Sequence, residues 1–157
     1  MRIVQNLLAI AVIAGTPLVA APSFAKDLDP QTRKNLEAAM HGEAFANLKY
    51  LAYAEQARKS GHPEIAKLFD ENANVEANEH YAREADALGL VGADEANLLD
   101  GMAGEHYENT KMYVEFAEQA EKAGDTKVAA MFRQIAADEG DHYESYKAAA
   151  EKLRAGK

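Results

Sequence analysis

Three observations predict an all-α protein, an antiparallel four-helix bundle made of two duplicated helical hairpins. Beyond the N-terminal segment the chain is rich in alanine, glutamate and lysine and has few β-branched residues, a composition typical of helices. Proline and glycine occur where four long segments are separated, and the second pair of segments repeats the first. Short turns within each pair favour antiparallel neighbours.

The N-terminal segment has the features of an export signal. Arg2 is followed by an apolar run from Leu7 to Ala21, and Ser23-Phe24-Ala25 offers a small-x-small cleavage site. We therefore expect a signal peptide over residues 1–25 and one domain over 26–157, located in the periplasm or secreted. The alternative is an uncleaved membrane anchor.

The charge and the absence of cysteine exclude several functions. Cleavage removes only one charged residue, Arg2, and leaves 16 basic against 26 acidic residues, a net charge of −10. Such a surface argues against nucleic acid or an anionic membrane as partner. With zero cysteines there is no disulfide framework, thiolate metal site, c-type haem attachment or cysteine nucleophile. Any metal must be bound by oxygen and imidazole.

Turn and capping residues predict the helix boundaries. Asp29-Pro30 is a cap followed by a first-turn proline, Ser60 to Pro63 is a stop and restart, and Asp94 can cap the third helix. Glycines mark the other breaks. The helices are expected over residues 30–59, 63–88 and 94–122, and from the turn at 123–125 to about 153.

The repeat has small irregularities that locate two inserted residues. Gly42-Glu43 matches Gly104-Glu105 at an offset of 62, and Lys49 matches Lys111 at the same offset. From Glu55 and Glu118 onward the offset is 63, until His80 and His142 restore 62. The third helix therefore has one extra residue before Glu118, and the second has one between Glu76 and His80. Two copies of a helical hairpin are expected to be related by a pseudo-twofold axis. A site on that axis would be built from residues of both copies.

Four glutamates occupy positions in the apolar stripes where core residues are expected: Glu43, Glu76, Glu105 and Glu139. Burying ionised carboxylates is costly, and Glu108 would add to their repulsion. Two divalent cations would neutralise this cluster, and oxygen with imidazole suits iron or manganese. Ferritin-like di-iron bundles use one Glu from each of two helices and a Glu-x-x-His from each of the other two. The alternative is that these glutamates are solvated surface residues.

The remaining histidines and two tyrosines have weaker signals. His41, His62 and His106 are out of register with the ligand stripes, so we interpret them as structural or exposed. Tyr50 and Tyr113 lie about two turns beyond a ligand glutamate. Each hydroxyl could donate a hydrogen bond to a carboxylate of the opposite hairpin, or the rings could simply pack in the core.

The pattern resembles the ferritin-like di-iron domain of the rubrerythrins over most of residues 30–153. The residues that carry the resemblance are Lys34 to Leu36, Gly42-Glu43, Gly61, Ile65 to Phe69, Ala96 to Leu99, Ala103 to His106, Glu108, Met112-Tyr113, Phe116-Ala117, Glu139 and His142. The carboxylates Glu105 and Glu108 distinguish rubrerythrins from ordinary ferritins.

The resemblance implies a reaction and a set of residues. In that family the additional third-helix glutamate, here Glu108, and the second-helix histidine exchange places on one iron with redox state, and the main activity is reduction of hydrogen peroxide. We therefore expect a di-iron centre, with manganese as an alternative, and catalytic roles for Glu108, His80, Tyr50 and Tyr113. The substrate is hydrogen peroxide or dioxygen, and the usual assembly is a homodimer. No cysteine-rich rubredoxin domain is expected, so an external protein or small molecule must donate electrons.

Two other functions compete with peroxide reduction. The domain could bind or oxidise ferrous iron as a ferroxidase or small store, because its acidic surface concentrates cations. It could also be a metal-free helical interaction module, which predicts no thermal stabilisation by iron or manganese.

The stretch from Glu76 to His80 departs from the family spacing. Here the His lies four positions after the Glu, instead of the family's three, and Glu79 takes the third position. In a regular helix either Glu79 or His80 could reach the metal. A single-turn π-bulge would return His80 to the ligand position, and we favour this arrangement because His80-Tyr81 realigns with His142-Tyr143.

Overall fold

The structure, a computed structural model, describes residues 28–156. Four long helices account for nearly all of this range, and no strand occurs within it. This confirms the predicted all-α class. The predicted signal peptide over residues 1–25 lies outside the described residues.

The second and third helices each contain a short π-helical segment. Helix α1 is Pro30–Lys59. Helix α2 covers residues 63–88 as Pro63–Val75, the π segment Glu76–Tyr81 and Ala82–Leu88. Helix α3 covers residues 94–123 as Asp94–Tyr107, the π segment Glu108–Met112 and Tyr113–Ala123. Helix α4 is Thr126–Ala155.

Most helix boundaries follow from the local sequence. The Asp29 side chain accepts hydrogen bonds from the backbone N–H groups of Gln31 and Thr32 at 2.8 and 3.3 Å, which satisfies two free donors of the first turn. The start of α3 differs from the prediction. Asp94 lies inside the first turn, whereas the Asn97 side chain pairs with both the N–H and the C=O of Gly92.

The helices pack as two hairpins, α1 on α2 and α3 on α4. Among the described elements, no helix of one hairpin has a Cα within 8 Å of a helix of the other. Alanines form most of the buried core between paired helices, including Ala54 and Ala66 in the first hairpin and Ala117 and Ala129 in the second. Small side chains allow close approach of the two helices in each pair.

Large apolar side chains remain exposed on both hairpins. The set comprises Phe45, Leu48, Leu51, Tyr53, Ile65, Leu68, Leu90, Val91, Leu99, Tyr107, Val114, Phe116, Val128, Met131 and Tyr146. Within residues 28–156, none of the helices combines the length and apolar character that crossing a bilayer requires.

Candidate metal centre

The first hairpin brings together three of the predicted ligands. Oxygens of Glu43 and Glu76 and a ring nitrogen of His80 lie within 4.8 Å of one another. His80 Nδ1 is 2.8 Å from Glu76 Oε2 and 3.8 Å from Glu43 Oε1. The two carboxylates are mostly shielded, and the histidine is about half exposed, at 46%.

The second hairpin repeats this group almost atom for atom. Glu105, Glu139 and His142 also lie within 4.8 Å of one another. His142 Nδ1 is 2.7 Å from Glu139 Oε2 and 3.7 Å from Glu105 Oε2. Each hairpin therefore holds a group of two carboxylates and one imidazole, and the two groups are equivalent under the internal repeat.

A pair of asparagines ties the ligand helices together. Asn47 Nδ2 donates to the carbonyl of Ala73 at 2.7 Å, and Asn109 Nδ2 donates to that of Ala136 at 2.6 Å. Each asparagine follows a ligand glutamate by one turn, and each acceptor precedes one by three residues. The two asparagines occupy equivalent positions of the repeat, and this is the signal that could have identified them. The sequence analysis gave them no role.

The π segment in α2 places His80, not Glu79, in the ligand group. A π turn accommodates one extra residue, so His80 contacts Glu76 across four residues much as His142 contacts Glu139 across three. Glu79 is turned away and pairs with Arg83 at 3.2 Å. The inserted residue of α3 also lies in a π segment, Glu108–Met112, which sequence reasoning did not foresee although the offset change marks it.

Crowded carboxylates perturb the protonation of both groups. A hydrogen bond shared with Glu76, together with partial burial, raises the pKa of Glu43. Burial, followed by a hydrogen bond shared with Glu139, raises the pKa of Glu105. The hydrogen bond to Glu139 raises the pKa of His142. Each group thus concentrates negative charge that a cation would relieve.

Glu108 and the two tyrosines lie beside the groups without joining them. Glu108 is half-buried, and its charge is one of the causes that raise the pKa of Glu105. Burial, then the charges of the nearby glutamates, raises the pKa of Tyr113. Tyr50 and Tyr113 pack against Phe69 and Phe132, and in the described part of the single chain neither hydroxyl bonds to a carboxylate.

Sequence reasoning missed Glu84. This residue lies eight positions after Glu76, on the same face of α2, and its charge contributes to the raised pKa of Glu43. Its Oε2 atom is buried and has no hydrogen-bond partner in the described chain. Of the other histidines, His106 lies against the ring of Tyr143 at 5.6 Å and His62 is exposed.

The donor set fits the di-iron centre that the family resemblance implies. Six side chains supply carboxylate oxygen and imidazole nitrogen, which suit iron and also manganese. They match the composition of a ferritin-like site, which takes a Glu from two helices and a Glu and a His from each of the other two. The raised pKa values of Glu43 and Glu105 are the physical sign of carboxylates brought together without a counter-charge.

Comparison with known proteins identifies the family. The rubrerythrin family model matches residues 34–150. The chain is 37% identical over 129 residues to a rubrerythrin of Porphyromonas gingivalis, covering 74% of this chain and 64% of that protein. It is 33% identical over 131 residues to nigerythrin of Nitratidesulfovibrio vulgaris, covering 75% and 65%. The chain thus spans slightly less than two thirds of the length of these relatives.

Solved structures of nigerythrin are also similar to this chain. One, in a partially reduced state, is 32% identical and covers 93% of this chain and 82% of its own, with a TM-score of 0.41. The family match extends over about three quarters of the chain and includes all six clustered ligands. The chain therefore belongs to the rubrerythrin family.

Proposed function

We propose that this protein is an exported di-iron peroxidase that reduces hydrogen peroxide to water and so protects against oxidative stress. The observation that carries the proposal is the pair of equivalent Glu, Glu and His groups, with the further carboxylate Glu108 beside one of them. Ordinary metal sequestration does not require this additional carboxylate. The electron donor is an external protein or small molecule.

The residues have distinct parts in this proposal. Glu43, Glu76 and His80 would hold one side of the centre, and Glu105, Glu139 and His142 the other. When bound, two ferrous ions supply the two electrons that, with two protons, convert one hydrogen peroxide into two water molecules. In this proposal Glu108 would exchange with His80 as a ligand, and the Tyr113 hydroxyl would orient a carboxylate.

The test compares two oxidants on anaerobically loaded ferrous protein. Stopped-flow absorption should show faster oxidation by peroxide than by dioxygen, with two iron ions oxidised per peroxide. Glu108→Ala should slow oxidation by peroxide, whereas the matched control Glu79→Ala, which removes an exposed carboxylate paired with Arg83, should not. Equal rates with the two oxidants would refute a peroxidase.

The competing function is ferrous iron oxidation or small-scale storage. The acidic balance of the chain, a net charge of −9 over its whole length, favours cation attraction. Iron uptake with dioxygen separates the two. A peroxidase stops at about two iron ions per chain, whereas a store continues to take up iron beyond that number.

Export has its own test. Expression of the full chain in a bacterium with a periplasm, followed by fractionation and N-terminal sequencing, should give a mature protein that begins at Lys26. A cytoplasmic product that retains Met1 would refute export without affecting the metal chemistry.

A further inference from the structure

Glu84 has a buried hydrogen-bond acceptor that no residue of the described chain satisfies. Its Oε2 atom is withdrawn from solvent and accepts no hydrogen bond from residues 28–156. Such oxygens are rare, because removing a carboxylate from water costs free energy that only a hydrogen-bond donor or a cation can offset. The buried oxygen of Glu84 therefore indicates a partner that has still to be identified.

Glu84 lies between the apolar core of the first hairpin and its ligand group. The next residue, Ala85, packs with Met40 in a buried cluster, and neither of these side chains offers a donor. A hydrogen bond shared with Glu76 is the largest cause of the raised pKa of Glu43, and the charge of Glu84 adds to it. The carboxylate of Glu84 is therefore close to the ligand group.

His80 has a ring nitrogen that its ligand group does not use. Its Nδ1 atom is 2.8 Å from Glu76 Oε2 and 3.8 Å from Glu43 Oε1, so Nδ1 is the nitrogen that faces a metal in this group. A neutral imidazole that gives one nitrogen to a metal has its proton on the other nitrogen, which here is Nε2. Among residues 28–156 this Nε2 atom makes no hydrogen bond.

Helix geometry brings this donor and the buried acceptor to the same face of α2. Glu84 follows His80 by four residues, and side chains four residues apart in a helix are neighbours. A helical side chain also leans toward the N-terminus, over the preceding turn, so Glu84 leans toward the turn that carries His80. Histidines that bind metals commonly donate their second ring N–H to a carboxylate, which fixes the ring and makes the metal-binding nitrogen more basic.

The second hairpin has no carboxylate at the equivalent position. Tyr146 follows His142 by four residues, as Glu84 follows His80. The ring of Tyr146 lies against Gly101, where an added Cβ would be 3.3 Å from two of the ring carbons. The two ligand groups are therefore alike in composition, but only one of their histidines has a carboxylate one turn further along its helix.

We propose that Glu84 is a positioning residue for His80: when a metal is bound at Nδ1, the Nε2–H group of His80 donates a hydrogen bond to the carboxylate of Glu84. This bond satisfies the buried oxygen and holds the imidazole ring in one orientation. It strengthens metal binding by the first ligand group alone. The inference rests on the proposed metal centre and is independent of the reaction that occurs there.

The test uses Zn²⁺, a closed-shell ion that binds carboxylate and imidazole ligands. Protein that contains ¹⁵N-labelled histidine is loaded with excess Zn²⁺, and NMR measures how fast each ligating histidine exchanges its Nε2–H proton with water. A proton held by a carboxylate exchanges slowly and gives an observable signal. Competition with a chelator measures zinc affinity in the same samples.

Glu84→Leu should abolish the Nε2–H signal of His80 and weaken the binding of one zinc ion by about 10–100-fold, the usual effect of removing such a partner. The binding of the other ion should not change. Glu84→Gln retains a carbonyl acceptor and should preserve the signal. The matched control Tyr146→Leu, at the equivalent position of the second hairpin, should leave the signals of His80 and His142 unchanged.

Thermal unfolding without metal distinguishes a positioning role from a purely structural one. Glu84→Leu removes a buried oxygen that has no donor, so it should raise the Tm of the metal-free protein. The same variant should reduce the increase in Tm that Zn²⁺ produces. A residue that only supports the fold would show the opposite result, a lower Tm without metal and an unchanged signal from His80.

Two results would overturn the inference while leaving the metal centre intact. One is an unchanged Nε2–H signal of His80 in Glu84→Leu. The other is an equal loss of zinc affinity in Glu84→Leu and Glu84→Gln, which would make Glu84 a direct ligand. Wild-type protein that binds no Zn²⁺ would instead refute the metal centre, and this inference with it.

Discussion

The two hairpins have the same ligand geometry but place their inserted residues differently. In the first hairpin the π segment lies between Glu76 and His80, and in the second it begins at Glu108 on the opposite helix. The His-to-Glu distances nevertheless agree, at 2.8 and 2.7 Å. The helix backbone therefore absorbs an insertion locally while the ligand group is preserved.

Other differences distinguish the two copies in chemistry. Glu108 corresponds to Ala46 in the repeat, so only the second hairpin has the additional carboxylate. The ion pair between Arg58 and Asp70 in the first hairpin has the reverse polarity in the second, where Glu121 accepts from Arg133 at 2.8 Å. The repeat thus preserves the clustered Glu and His side chains, whereas the additional carboxylate and the polarity of an exposed ion pair differ between the two copies.

Removal of one of the clustered glutamates should have the largest effect. Glu76→Ala and Glu139→Ala should each lower iron affinity by at least about 100-fold, because each leaves a group with one carboxylate and one histidine. Competition with a chelator of known affinity measures the change. The Glu79→Ala protein should bind iron as tightly as the wild type. Equal losses of iron affinity in Glu79→Ala and Glu76→Ala would show that Glu79 takes part in binding in the first hairpin, and hence that the two groups do not bind iron in the same way.

The residue after Glu139, in the regular helix α4, is Gly140, whereas the equivalent position in the π segment of α2 holds a larger residue. A Cβ on Gly140 would lie 2.8 Å from Asn109 Nδ2, which is held by its hydrogen bond to Ala136. Gly140→Ala should therefore destabilise the metal-free protein by about 1–3 kcal/mol.

The matched change in the first hairpin is Ala77→Gly, because Ala77 follows Glu76 as Gly140 follows Glu139. It should cost no more than about 1 kcal/mol, the difference in helix propensity. Urea unfolding measures both changes. A larger loss from Ala77→Gly than from Gly140→Ala would contradict the packing argument.

Deletion of Asn78 makes the two histidine spacings identical. The result, Glu-x-x-His in both hairpins, should convert the π segment into regular helix and change iron affinity by less than about tenfold, because a histidine three residues after the glutamate is already accommodated in α4. Iron titration and circular dichroism check this. Complete loss of iron would show that the π segment is needed to align the rest of α2.

Removal of either of the two ion pairs of reversed polarity should have the smallest effect on stability. Arg58→Ala and Arg133→Ala remove exposed partners, and exposed pairs contribute only about 0–1 kcal/mol. Thermal unfolding in low and high salt measures the difference. A loss above this range in one hairpin alone would show that its pair also supports packing.

Much of the fold and site follows from local sequence. Asp29, Pro30, Pro63 and the glycines of the turns gave helix starts and ends that agree with the structure. Glu43, Glu76, Glu105 and Glu139 were recognised because helical spacing placed them on apolar stripes. Asp94 was wrong as a cap, since the helix begins one residue earlier than a cap at Asp94 would allow and Asp94 lies in its first turn. The π segment in α3 was missed because an insertion there changes no ligand spacing.

The sequence by itself determined the four helices, their pairing into two equivalent hairpins and five of the six clustered side chains, because these depend on contacts within a few turns or between adjacent helices joined by short loops. Only the tertiary structure decided that His80 and not Glu79 faces Glu43, and that the two hairpins of one chain stand apart. The first depends on how the backbone winds at one turn. The second concerns how two elements on either side of a five-residue connection are placed, and helical periodicity carries no information about that placement.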